Sequence, residues 1–214
     1  MTNYGQARAH MVDNQLRTSG ITDGRILRLM GIVAREDFVA PGRQSTAYVD
    51  DVQWLAGAAP GRFIAPPAPF AKLLQLADIS ADDTVLDIGA GSGYSTAIIA
   101  GLARSVVGYE PDATLAEMAK HNLAGLGLGT ASIVTRLSNA QFDVVFVEGT
   151  LDIVPPEFFA AIKDGGRLIA LVRTGGVPVA HVFVKTGNAV TSRIEFNASL
   201  PPLLTKRPAE EFVF

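Results

Sequence analysis

The stretch T-V-L-D-I-G-A-G-S-G-Y, residues 84–94, decides the fold. Its first half is a short apolar run, as expected of a strand buried on both faces of a parallel sheet. Its second half is a turn. Gly89, Gly91 and Gly93 allow backbone angles that side chains resist, and they let a ligand come close. Residues 94–103 then read as a helix whose first N–H groups are free. A strand, a glycine turn and a helix open a βαβ unit.

Working outward, the alternation continues. Residues 105–110 read as a strand, 112–127 as a helix, 131–135 and 142–149 as strands, 155–166 as a helix and 167–173 as a strand. Strand and helix alternate from 84 to about 173, which implies a mostly parallel twisted sheet with helices on both faces. Residues 179–187 and 189–199 read as antiparallel edge strands. Upstream, 6–33 is helical, 35–57 is rich in loops, and helical periodicity resumes at Phe70. The fold class is α/β, Rossmann-like. The expected organisation is a single domain over 1–214, with residues 1–75 forming a helical lid and 76–214 a Rossmann-like core.

One spacing is awkward. Only Arg136 to Gln141 separate two strands expected to run parallel. A parallel crossover needs about a dozen residues when it contains a helix. Either this crossover is abnormal or residues are missing from this stretch; the second is the expectation.

Composition excludes several functions. Of the 214 residues, 48% are hydrophobic and 18% charged, as in a globular domain. The net charge of −3 gives no basis for binding nucleic-acid phosphates. With no cysteine, disulfides, thiolate catalysis and cysteine-held metals are impossible. His10, His121 and His181 show no ligand or triad spacing, so no metal is expected. No apolar run reaches the roughly 20 residues of a membrane span. No basic-then-apolar leader is visible, and the expected location is the cytoplasm.

The glycine turn also points to a ligand. A dinucleotide fingerprint is G-x-G-x-x-G around a pyrophosphate. Here the order is G-x-G-x-G, and Asp87 precedes it, where an anion would be repelled. An acid there suits a cation, such as the amino group of a methionine moiety. Glu110 ends the next strand, 23 residues after Asp87, placed to accept from both ribose hydroxyls. These residues favour S-adenosylmethionine over NAD. Glu148, at the end of a later strand, points toward the same sheet edge and is a candidate contact to substrate or cofactor.

The motif D-I-G-A-G-S-G-Y resembles the first motif of S-adenosylmethionine-dependent methyltransferases. With M-V-D-N-Q-L-R-T-S-G-I-T-D-G-R-I-L, V-A-R-E-D-F-V, A-Y-V-D-D and G-G-R-L-I-A-L-V, the chain resembles the protein-L-isoaspartate O-methyltransferase family from about Met11 to the terminal F-V-F. The resemblance implies methyl transfer to the free carboxylate of an isoaspartyl residue in a damaged protein, leaving S-adenosylhomocysteine. It implies a cofactor site of Asp87, Gly89, Ala90, Gly91, Gly93, Tyr94, Glu110 and Pro111, with Tyr109 and Pro111 beside the adenine. It implies a protein or peptide partner bearing isoaspartate.

The chain departs from the family at the acceptor wall. The family pattern is G-x-T-I-S-x-P; here it is Gly61, Arg62, Phe63, Ile64, Ala65, Pro66 and Pro67. Phe63 and Ala65 replace the two hydroxyl residues. Ala65 stands where the family has its one catalytic side chain, and the substrate-binding set is Phe63, Ile64, Ala65, Pro66 and Glu148. Two alternatives therefore stay open: a family methyltransferase with another acceptor, or a non-catalytic protein that binds S-adenosylmethionine.

Overall fold

The structure is a computed structural model that describes residues 3–57 and 61–203. Pro60 and the terminal F-V-F lie outside the described residues. A seven-stranded sheet runs in the order β5-β4-β3-β6-β7-β8-β9. Its parallel part comprises β3 (Thr84–Ile88), β4 (Ser105–Tyr109), β5 (Ala131–Val134), β6 (Phe142–Leu151) and β7 (Ile162–Val172), and its antiparallel edge comprises β8 (Val179–Thr186) and β9 (Ala189–Asn197). This is the expected mostly parallel sheet with an antiparallel edge.

Alternation places successive residues of each strand on opposite faces. On one face Val85, Val144, Phe146 and Ile169 pack with the N-terminal segments and α4 (Tyr94–Ala100). On the other, Leu86, Ile88, Val145, Val147 and Leu168 pack with Phe158 of α6 (Pro156–Ala160). α5 (Ala113–Gly125) carries its own cap: Asp112 Oδ1 accepts from Thr114 N at 2.9 Å and Leu115 N at 3.1 Å.

The N-terminal half is less continuously helical than its periodicity suggests. α1 (Tyr4–Met11) passes into a π turn over Val12–Leu16 and a tight turn over Arg17–Ser19, and Gly20 ends it at φ 85°. α2 (Gly24–Ile32) is capped by Asp23, whose side chain accepts from Arg25 N. A short hairpin follows, β1 (Gln53–Trp54) against β2 (Phe63–Ile64), and leads into α3 (Pro67–Ala77). Pro66 cannot cap α3 with a side chain, so Asp50 reaches across and accepts from Ala68 N at 2.9 Å. Trp54 is 47% exposed, and its ring meets that of Phe63 edge-on at 5.9 Å.

Two sequence expectations need correction. The helix expected over 155–166 ends at Ala160, because β7 begins at Ile162, which pairs with Phe142 of β6 ahead of a bulge that lasts until Arg167. The crossover from β5 to β6 contains no helix. Val134 stands level with Tyr109, Ile88 and Val147 across the sheet, and Phe142 lies five positions lower, three strands away. That separation is about 22 Å at about 3.3 Å per residue and 4.8 Å per strand. Eight extended steps reach about 27 Å. The crossover is therefore abnormal but feasible as an extended chain, and its length alone does not require missing residues. Leu137 from this connection and Leu203 from the C-terminal part pack on the face where a crossover helix would otherwise lie.

Among the described residues no helix is long and apolar enough to cross a membrane.

Candidate active site

The sheet order reverses between β3 and β6: β4 and β5 follow on one side of β3, while β6 returns to the other. Ligands of open α/β sheets bind at the carboxyl ends of strands at such a point. Asp87 lies on β3 there with the glycine turn just past it, Glu148 on β6, and Glu110 just past β4. The structure thus brings together the acids and glycines that the sequence singled out.

The turn is built by its glycines. Gly89 stands at φ 90°, Gly91 at 55° and Gly93 at 93°. Gly89 N and Ala90 N both donate to Tyr109 O, at 2.9 and 3.2 Å, which fixes the loop to β4. A Cβ on Gly89 would stand 2.5 Å from Leu203 Cδ1, and one on Gly91 would stand 2.9 Å from Leu55 Cδ1. The turn is therefore covered by the chain's own Leu55 and Leu203.

Glu110 is fully buried. Its Oε2 accepts from Gly91 N and its Oε1 from Asp112 N, both at 3.0 Å. Arg62 Nε stands 3.3 Å from Oε1. That contact is an ion pair out of line for a good hydrogen bond, since Nε has no hydrogen-bond partner. Arg62 also donates from NH1 to Leu203 O at 3.0 Å, tying the start of β2 to the C-terminal segment. Burial pushes the Glu110 carboxyl up, against these donors and the Arg62 charge.

Asp87 is fully buried. Its Oδ2 accepts from Ser95 Oγ at 2.7 Å and Thr96 Oγ1 at 2.6 Å, while Oδ1 has no donor. Burial raises it to about 6 despite those hydroxyls. Glu148 is buried, and its Oε1 also lacks a donor. Burial and the charge of Asp87 push it well above the usual carboxylate range.

Phe63, Ile64, Ala65 and Pro66 form a buried wall, as read from the sequence. A residue the sequence undervalued holds it. Arg35 is 0% exposed, with Nε donating to Ala47 O and NH2 to Ala65 O, both at 2.7 Å. Its guanidinium lies 4.8 Å from the Tyr94 ring centre. Arg35 does not pair with its neighbour Glu36, which instead joins Arg8 and Tyr48. Tyr94 is turned into the core: its ring meets Phe38 at 5.5 Å and Phe70 at 5.8 Å. Pro111 is exposed beside Glu110.

The donor set suits one kind of ligand. A carboxylate at a strand end can take a diol, and a bare buried carboxylate oxygen can take a cation. S-adenosylmethionine carries both groups, so the chemistry fits. The space does not yet fit, because Leu55, Arg62 and Leu203 cover the turn. They must withdraw for a ligand to enter. Arg62→Ala is therefore expected to tighten S-adenosylmethionine binding about fivefold in calorimetry, since a buried but poorly aligned contact to Glu110, worth about 1 kcal/mol, no longer has to break. Weaker binding by this variant would show that Arg62 instead holds the ligand.

Residues 6–203 match the family described as Protein-L-isoaspartate(D-aspartate) O-methyltransferase. A protein-L-isoaspartate O-methyltransferase of Koribacter versatilis is 33% identical, over 86% of this chain and 85% of the relative. One from Brucella anthropi is 35% identical over 79% of each chain. Among solved structures, a protein-L-isoaspartate O-methyltransferase superposes with a TM-score of 0.77 at 23% identity, covering 90% of this chain and 64% of that one. A Plasmodium falciparum chain described with the same name, in complex with S-adenosyl-L-homocysteine, gives 0.76 at 18% identity, covering 95% and 99%. These two likenesses show the same fold. The match to nearly the whole chain, with the strand-end acids and glycine turn in place, shows that the chain belongs to the protein-L-isoaspartate O-methyltransferase family.

Proposed function

We propose that the protein transfers a methyl group from S-adenosylmethionine to the free carboxylate of isoaspartyl residues in proteins or peptides. The observation that carries this is the pairing of a cation-seeking acid, Asp87, with a diol-seeking acid, Glu110, around a positive-φ glycine turn. When bound, the cofactor supplies an electrophilic methyl on sulfur. Asp87, Gly89, Ala90, Gly91 and Gly93 would hold its methionine part, and Glu110 its ribose, with Tyr109 and Pro111 beside the adenine. Residues 1–75 would act as the lid, with Leu55 and the wall of Phe63 to Pro66 closing over the turn.

Transfer to the acceptor oxygen would release the cofactor as S-adenosylhomocysteine, whose sulfur keeps the electron pair of the former S–CH3 bond. A carboxylate is already ionised at neutral pH, so no side chain has to remove a proton. The protein's work is orientation and exclusion of water. The buried wall excludes water, and Arg35 fixes its backbone through Ala65 O. The wall offers no hydroxyl to orient the carboxylate. A lost hydrogen bond to a charged acceptor costs about 1.5 kcal/mol at the low end, or about tenfold in rate.

Ala65→Ser is accordingly expected to raise the rate on an isoaspartyl peptide about tenfold. Radiolabelled S-adenosylmethionine with that peptide and its normal-aspartyl twin tests the reading: isoaspartyl-selective labelling supports it, and equal or absent labelling tells against it. The apolar wall of Phe63, Ile64 and Ala65 favours a second reading, a family methyltransferase for a less polar acceptor. Cofactor binding without labelling of either peptide would point there.

A further inference from the structure

Resting on that assignment of the cofactor, we infer that Asp87 and Glu148 hold one proton between them and release it when the cofactor's ammonium group enters beside them. Asp87 lies opposite Phe146 in the β3–β6 register. Glu148 is two positions on, so it occupies the same face of the sheet as a diagonal neighbour. Diagonal neighbours lie about 7–8 Å apart between backbones, within reach of long side chains. Both side chains project from that face toward α4, whose Ser95 and Thr96 donate to Asp87. Each is buried, and each has an oxygen with no donor, Asp87 Oδ1 and Glu148 Oε1. Two buried carboxylates cannot both stay ionised side by side. One proton between them satisfies both bare oxygens at once. Burial raises both carboxyls, and the charge of Asp87 raises Glu148 further.

The surrounding charges favour the same state. From α4, Ser95 and Thr96 present hydroxyls to Asp87, and Ser95 also reaches Glu148. The Tyr94 hydroxyl is buried nearby on the same helix and stays neutral, since burial raises it. From the turn at Arg35–Asp37, the fully buried Arg35 acts on Glu148 as a positive charge. From β4, Glu110 acts on Asp87 as a negative charge, but Glu110 has Arg62 beside it. With one proton, the Asp87–Glu148 pair carries one negative charge and balances Arg35. An entering ammonium adds a positive charge to this buried group. Loss of the shared proton restores the balance, because burying an unbalanced charge is costly. The pair therefore selects ligands with a cationic amino-acid end and makes their binding proton-linked.

Isothermal titration of the full chain at pH 6.5, in buffers of low and high ionisation enthalpy, counts the protons. Three ligands serve: S-adenosylmethionine, S-adenosylhomocysteine, and 5′-methylthioadenosine, which lacks the amino-acid end. At this pH the amino group of the first two is already charged. The expected result is release of about one proton with each of these two and about none with 5′-methylthioadenosine. Affinity for S-adenosylmethionine should rise toward tenfold per pH unit between pH 5.5 and 7. Glu148→Gln should abolish both the release and the pH dependence. Binding without proton release in the natural protein overturns the inference and leaves the cofactor assignment standing, as does the same release in Glu148→Gln. Failure of both S-adenosylmethionine and S-adenosylhomocysteine to bind overturns the cofactor assignment itself. Melting without ligand is a second measure. Native Glu148 keeps a proton that the unfolded chain has lost above its ordinary range. Stability of the natural protein therefore falls, relative to Glu148→Gln, as pH rises from 5 to 7.5. A constant difference in melting temperature over that range would also overturn the shared proton.

Discussion

Glu110→Gln is expected to weaken S-adenosylmethionine binding about a hundredfold. The carboxylate sits at the end of β4 with both oxygens already held, by Gly91 N and Asp112 N. Those two backbone bonds aim it across the glycine turn; they also leave each oxygen a second lone pair for a ribose hydroxyl. Two hydroxyls on a charged acceptor contribute about 3 kcal/mol together over neutral partners, which is about two decades in affinity. The amide adds a second fault. Its NH2 must face either Gly91 N or Asp112 N, a donor against a donor, so the ligand-free variant also melts lower. Dialysis or calorimetry with S-adenosylmethionine separates the two effects. If the variant binds within a few-fold of the natural protein, Glu110 is a brace for the loop and not a ribose ligand. The size of the effect also depends on Arg62, since that guanidinium now lies against the oxygen the diol would use.

How much of this was legible in the sequence follows from the range of the forces involved. The glycine turn and its strands were readable because their signals are local: a short, mostly apolar run, then a turn of three glycines free to take positive φ without strain. Asp87 and Glu110 were readable because a parallel strand delivers its last residue to a known edge. Glu148 was seen at that edge, but its partner was not, because nothing local says that β6 returns beside β3 with Glu148 diagonal to Asp87. Arg62, Leu55 and Leu203 were missed for the same reason. Arg62 and Leu203 are 141 residues apart and meet only in the folded chain. Tyr94 was read as part of the site since it closes the motif, yet helix geometry turns its ring to Phe38 and Phe70. The helix expected through 166 ended early because pairing with β6 claims residues from Ile162 onward, and a sheet partner overrides local propensity. The short β5–β6 connection was legible as an anomaly, and its resolution needed the register.

Arg35→Met should cost about 3–4 kcal/mol of stability and lower the melting temperature by about 10 °C for a chain of this size. Local sequence pairs Arg35 with Glu36, a surface ion pair worth little. The structure buries it completely and gives it no carboxylate within ion-pair distance among the described residues. Its hydrogen bonds go to two backbone carbonyls, Ala47 O and Ala65 O, on segments that Asp50 also ties together through Ala68 N. Methionine fills much of the volume, so the loss is mainly polar: two buried carbonyls without donors, and removal of the positive charge facing Glu148. Arg35→Lys keeps the charge but has a single nitrogen where the guanidinium spans two carbonyls, so it should recover less than half of the loss. Catalysis distinguishes this account from general loosening. On the role proposed for the wall that contains Ala65, Arg35→Lys, assayed well below its melting temperature, should lower turnover on an isoaspartyl peptide several-fold while the S-adenosylmethionine dissociation constant changes less. Equal losses in both would mean that Arg35 supports the whole face of the sheet and gives the acceptor wall no special hold.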